Sequence, residues 1–186
     1  MTRIESPLQD CFYIAPPQFK DDRGIFCETY NDAAFQKATG LTIDFVQDNQ
    51  SVSQYGVLRG LHFQRAAMAQ AKLVRVAYGA VLDVVVDVRP NSKTYGQHFS
   101  IELSAQNGRQ LFVPKGFAHG FVTLSDSAIF CYKCDAFYDK TSEGGIRYND
   151  ATLAIDWHLP EDAILVSDKD KELPLFRDLT TWSTFW

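Results

Sequence analysis

The feature that most limits this chain's fold is a series of short segments, dense in β-branched and aromatic residues. Turn formers cut the series about every eight to twelve residues. Residues 72–78 and 80–89 are rich in Val, Leu and Tyr and meet at Gly79, and Pro90-Asn91-Ser92 ends the second. Residues 97–104 set Phe99, Ile101 and Leu103 on one face, and 110–113, 120–125 and 128–134 continue the pattern. Such spacing is that of an all-β sandwich or barrel. Asn107-Gly108 reads as a hairpin turn because both residues tolerate positive φ. Ser125-Asp126-Ser127 reads as a second turn. One helix is predicted near the front, capped by Asn31-Asp32, with 33–38 as its body and Gly40 as its stop. The stretch from the Glu143-Gly144-Gly145 loop to Trp186 is mixed, and is expected to wrap the barrel with short helical turns. With no repeat or linker, 1–186 reads as one domain.

Composition narrows the function. A chain of 186 residues suits a single domain. A net charge of -5 argues against general nucleic-acid binding, which needs a basic footprint. No apolar run approaches the roughly 20 residues of a membrane helix. Met1–Pro7 lacks the apolar segment of a secretion signal, so a cytoplasmic protein is expected. Its four cysteines should then stay reduced. Cys131-Tyr-Lys-Cys134 has no second pair to build a zinc site and lies in a predicted strand, so these thiols read as buried and structural. Aromatic residues make up 13%, enough for a large core and a lined pocket.

Two spaced patterns fall in the strand region. One is Gly56-x5-His62-x-Gln64-x7-Lys72-x6-Gly79, the other Gly108-x5-Pro114-x-Gly116-x2-His119. Together they resemble the motifs of the cupin superfamily, a double-sheet jelly roll of the double-stranded β-helix type. Metal-binding cupins place His, His, Glu and His where this chain has His62, Gln64, Lys72 and His119. Alternating strand residues share a face, so these side chains should converge. An ammonium in place of a carboxylate makes a poor divalent-metal site, and no metal or other cofactor is expected.

The surrounding words are more specific. Asp22-Arg23-Gly24-Ile25-Phe26-Cys27-Glu28, Phe45-Val46-Gln47-Asp48-Asn49-Gln50-Ser51, Leu58-Arg59-Gly60-Leu61-His62-Phe63-Gln64 and Ala71–Val76 resemble the dTDP-4-dehydrorhamnose 3,5-epimerase family. So do 83–89, Pro114-Lys115-Gly116-Phe117-Ala118-His119-Gly120-Phe121 and Ser167-Asp168-Lys169-Asp170. The words run in family order from about residue 4 to 176, and the tail after Arg177 carries none of the resemblance.

The resemblance implies epimerisation of a dTDP-linked 4-keto-6-deoxyhexose. Hydrogens flanking a ketone are acidic because the carbanion delocalises into an enolate. Inverting such a carbon takes a base, an acid across the ring and a partner for the enolate oxygen. His62 is the expected base, since an imidazole titrates near neutral pH and a carboxylate can fix its tautomer. The family word makes Asp170 that carboxylate, with Asp83 a second possible partner. The resemblance makes Tyr132 the acid, and a phenol stays protonated at neutral pH. Lys72 would stabilise the enolate. Arg23, Arg59 and Lys169 match substrate contacts, and the guanidinium fork suits phosphate. Glu28, Gln47, Asp48, Asn49 and Glu143 match further binding positions, His119 a sugar-oxygen contact, and Tyr138 the ring on which thymine stacks. Arg23 and Glu28 would come from a neighbouring subunit, so the resemblance implies a homodimer with strands of residues 1–30 exchanged. Rival readings are a single-carbon epimerase or ketoisomerase on the same substrate, a metal-dependent cupin enzyme and a non-catalytic sugar-binding cupin.

Overall fold

The computed structural model of the chain describes residues 1–182. The strands are β1 (Thr2–Glu5), β2 (Phe12–Ala15), β3 (Gln18–Asp21), β4 (Gly24–Cys27), β5 (Gln47–Gln54), β6 (Val57–Gln64) and β7 (Lys72–Tyr78). They continue as β8 (Ala80–Asp87), β9 (His98–Ser104), β10 (Gln110–Val113), β11 (Phe117–Thr123), β12 (Ser127–Cys134), β13 (Glu143–Gly145) and β14 (Leu165–Val166). Helix α1 (Asp32–Thr39) starts where Asn31 accepts the Ala34 N–H and stops at the left-handed Gly40. Helix α2 (Asp168–Lys171) is a single turn capped by Ser167. No helix of the described residues is long and apolar enough to cross a membrane.

Two sheets face each other, ordered β1-β2-β10-β7-β12-β5 and β13-β6-β11-β8-β9, with β14 beside β6. This bears out the all-β sandwich or barrel expected from the strand spacing, in the cupin-like jelly-roll form that the two spaced motifs resemble. Side-chain alternation explains the core. On β8, Val81 and Val85 point between the sheets, whereas Leu82, Val84 and Val86 point outward. The outward set is covered by the C-terminal wrap through Ile146, Leu153 and Trp157. With both faces buried, the strand reads as an almost unbroken apolar run. The outer face of the other sheet is capped by α1, whose Phe35 packs on Phe12, Ile14, Leu73 and Phe112.

Two local expectations need correction. Asn107-Gly108 does not close a hairpin, because β9 pairs with β8 while β10 pairs with β2 and β7 in the opposite sheet. The turn chemistry holds, with Gly108 at φ 61 and its N–H donating to Ser104. A tight turn fixes a local reversal but not which sheet receives the next strand. Glu143-Gly144-Gly145 is a strand rather than a loop, paired with Gln64, Phe63 and His62. Gly145 is needed there because a Cβ would lie 2.5 Å from the Leu61 carbonyl. The side chains of Trp182 and Trp186, at the end of the stretch expected to wrap the barrel, lie outside the described residues.

Candidate active site

Inward alternation on five strands builds the site. His62 and Gln64 project from β6, Lys72 from β7, Asp83 from β8, His119 from β11 and Tyr132 from β12. β6 lies in one sheet and β7 and β12 in the other, so the imidazole stands on one wall and the phenol and ammonium on the opposite one. Between them is a cavity of about 280 Å³, lined by Gln47, Asn49, His62, Gln64, Lys72, Tyr132, Tyr138 and Glu143 with Phe63, Gln70 and Cys134.

His62 Nε2 lies 2.7 Å from Asp170 Oδ1. The other carboxylate oxygen accepts the Gly60 N–H at 3.3 Å, and Ser167 caps the α2 turn that carries Asp170. Gly60 has φ +125, and a Cβ there would sit 2.6 Å from Gly120 Cα, so only glycine permits this approach. Asp170 is 4% exposed. Burial alone would raise its pKa, but the His62 hydrogen bond and charge, with Gly60 and Ser167, carry it below the usual carboxylate value. An ionised Asp170 can only accept, so His62 Nε2–H donates to it, and in the neutral tautomer that this fixes Nδ1 is the nitrogen with the lone pair.

Lys72 makes no ion pair among the described residues. Burial depresses its pKa, against the pull of Cys134, Asp83 and Glu143. Its Nζ is 5.9 Å from the Tyr132 ring centroid. Burial also raises the Tyr132 pKa, aided by Cys134 and opposed by Arg59, which keeps the phenol protonated. At the rim, Glu143 Oε2 accepts from Tyr138 Oη at 3.0 Å and from Lys169 Nζ at 2.6 Å.

Other expected site residues lie elsewhere. Asp83 does not reach His62. It pairs with His119, whose Nε2 is 3.0 Å from Oδ2, and both side chains are buried. His119 is directly opposite His62 in the β6–β11 register but does not line the cavity. Asp48 points to the other face of β5 and binds Lys133 at 2.7 Å, as strand alternation from Gln47 and Asn49 requires. Arg59 donates to Ser53 at 3.1 Å. Arg23 and Glu28 belong to the β3–β4 hairpin and the segment after it, away from the cavity. Arg23 binds Asp21 within the hairpin, and its side chain is 90% exposed. Gln70 and Phe63 also line the cavity, as does Cys134, which the sequence marks only as a structural thiol. Cys134 shares the Tyr132 face and was findable by alternation, whereas Gln70 follows a 3-10 turn that has no strand period. Burial pushes the Cys134 thiol up to about 11 and that of Cys11 to about 12. Among the described residues no three His, Cys, Asp or Glu side chains are grouped to hold a metal.

Fold and site together define a cupin-type jelly-roll enzyme built for carbon-acid chemistry, with a carboxylate-held imidazole facing a lysine and a tyrosine. The sequence model of the dTDP-4-dehydrorhamnose 3,5-epimerase family matches residues 5–178. The chain belongs to that family and is an epimerase. The Escherichia coli K12 relative named dTDP-4-dehydrorhamnose 3,5-epimerase is 50% identical over 173 residues, covering 93% of each chain. The crystal structure of the Elizabethkingia anophelis enzyme of the same name is 53% identical, with TM-score 0.91 over 96% of this chain and 97% of that one. The Legionella pneumophila dTDP-6-deoxy-D-glucose-3,5-epimerase, solved with dTDP-4-keto-L-rhamnose, is 45% identical. Its TM-score is 0.90 over 95% of this chain and 93% of that one.

Proposed function

We propose that this epimerase converts dTDP-4-dehydro-6-deoxy-D-glucose to dTDP-4-dehydro-L-rhamnose by proton removal and return at C3 and C5. The observation that carries the reading is the opposition of His62 to Tyr132 and Lys72 across one cavity. Nδ1 of His62 takes the proton from the carbon beside the ketone. The C–H electron pair moves into the ring, leaving a C=C bond and an enolate oxygen faced by the Lys72 ammonium. Tyr132 Oη then delivers a proton to the opposite face of the carbon. The proton on His62 returns to the tyrosinate through solvent, so the cycle is neutral in protons. Gln47, Asn49, Tyr138, Glu143 and Lys169 bind the nucleotide end and the sugar hydroxyls, with Tyr138 stacked on thymine.

The test is proton NMR of the 4-keto sugar nucleotide with enzyme in heavy water. Deuterium should appear at both C3 and C5. Exchange at C3 alone would make this a monoepimerase, and no exchange would reject the mechanism. Tyr132→Phe should retain exchange while losing most net epimerisation, because abstraction survives but delivery to the far face does not.

The dimer forms part of the same reading. Among the described residues β3 and β4 pair only with each other, and they expose Phe19, Ile25 and Phe26, the last at 69%. An apolar, unsupported hairpin of this kind needs a covering surface. A partner subunit supplies it, and in return receives Arg23 and Glu28 at its own cavity. Phe26→Asp should shift the mass measured by light scattering from dimer to monomer and raise KM. A variant that stays dimeric with normal KM would remove the hairpin from the interface. A cytoplasmic setting fits four free thiols.

A further inference from the structure

Gln64 stands where a metal-binding cupin has a ligand, and its amide has a different use. The side chain is buried, and Oε1 accepts the backbone N–H of Asp139 at 3.0 Å. The preceding backbone N–H, that of Tyr138, donates to Gln47 Oε1, also at 3.0 Å. Gln47 is on β5 and Gln64 on β6, in opposite sheets. Consecutive amides of one segment are therefore clasped from both walls of the cavity. That segment joins β12 to β13 and has no strand pairing among the described residues. The Tyr138 ring is fixed at its other end, where Oη donates to Glu143. Glu143 lies directly opposite Gln64 in the β6–β13 register. Backbone anchor and ring anchor thus come from cross-strand neighbours, while the ring face itself stays half exposed.

We infer that Gln64 is a positioning residue for nucleotide binding, acting through Tyr138: it holds the 138–139 backbone so that the ring is presented to the base before substrate arrives. The inference rests on the reading that Tyr138 stacks on thymine. The physical reason is preorganisation. A loop that must be ordered on binding subtracts its ordering cost from the affinity, and a clasped loop has already met that cost. A backbone N–H deprived of its acceptor in a partly buried site must find water, which pulls the loop away from its docked position.

The probe is dTDP, which occupies the base subsite without the sugar. Gln64→Met keeps the volume and removes the acceptor. It should weaken dTDP binding by about five- to tenfold. KM for the sugar nucleotide should rise in parallel, with a smaller fall in kcat. Amide hydrogen exchange in the peptide spanning residues 136–142 should speed up while β7 and β8 stay protected. The decisive measurement is the double-mutant cycle. If Gln64 acts through the ring, Gln64→Met added to Tyr138→Ala should weaken dTDP binding no further. Multiplying losses would overturn the inference, as would unchanged dTDP affinity in Gln64→Met. If Tyr138→Ala alone left dTDP binding intact, the stacking reading would fall and take this inference with it. Should the methionine variant not fold, Gln64→Asn makes the same test, being one methylene too short to reach Asp139.

Discussion

Replacing His62 by alanine is expected to lower turnover by about 10²–10⁴-fold, the range typical of a lost general base. Deuterium incorporation should fall with it at both carbons, the result expected of a single base for both enolates. The variant should also be less stable. Asp170 is buried, and its carboxylate is held ionised mainly by the His62 hydrogen bond against the cost of burial. Its folded pKa lies below its unfolded one, so this contribution is present above the ordinary carboxylate value near 4 and fades as pH falls through the lower folded value. At neutral pH the loss should be about 1–3 kcal/mol, the cost of a charged group stripped of its partner. The Gly60 N–H and Ser167 still hold the carboxylate, so the fold should survive in circular dichroism. Near-normal exchange in a folded His62→Ala variant would mean that the base is misassigned.

Lys72→Met should lower turnover by about 10²–10³-fold, comparable to removing one oxyanion donor. Its stability should move the other way from His62→Ala, or not at all. Burial depresses the lysine pKa, so the folded protein pays for the charge, and a methionine of similar shape removes that cost. The same depression sets a pH limb. The enolate needs the ammonium form, so kcat should decline as pH rises through a value below the ordinary lysine pKa of about 10.4. A Lys72→Arg variant with residual activity should keep its rate to higher pH, since a guanidinium does not lose its proton in this range. Exchange at near wild-type rates in Lys72→Met would remove Lys72 from enolate stabilisation. An unchanged alkaline limb in Lys72→Arg would assign that limb to another group.

Much of the fold was legible because it rests on short-range chemistry. The strands from Lys72 to Cys134 follow from β-branched density between turn residues. The α1 helix follows from Asn31 and Gly40, each of which satisfies its own helix end. The sheet to which each strand belongs was not legible. Asn107-Gly108 has the residues of a hairpin, yet the chain crosses there from one sheet to the other. The choice depends on burying Leu103 and Leu111 in the same core, not on the turn itself.

The site divides along the same line. By their identity and spacing, residues 62, 64, 72 and 119 already settled that the inward cupin positions carry an imidazole, an amide, an ammonium and a second imidazole. The words around them pointed to one family. Only the folded chain decided which groups meet. Asp170 follows His62 by 108 residues and reaches it because one turn of helix closes over β6, while Asp83 turns to His119. Asp48 faces away from Gln47 and Asn49, since each residue along a strand reverses the side to which it points. His62 and Tyr132 stand apart because β6 and β12 fell into opposite sheets. Sequence determines what each side chain can do. Its neighbours across hundreds of backbone atoms are chosen by the burial of two sheet faces at once.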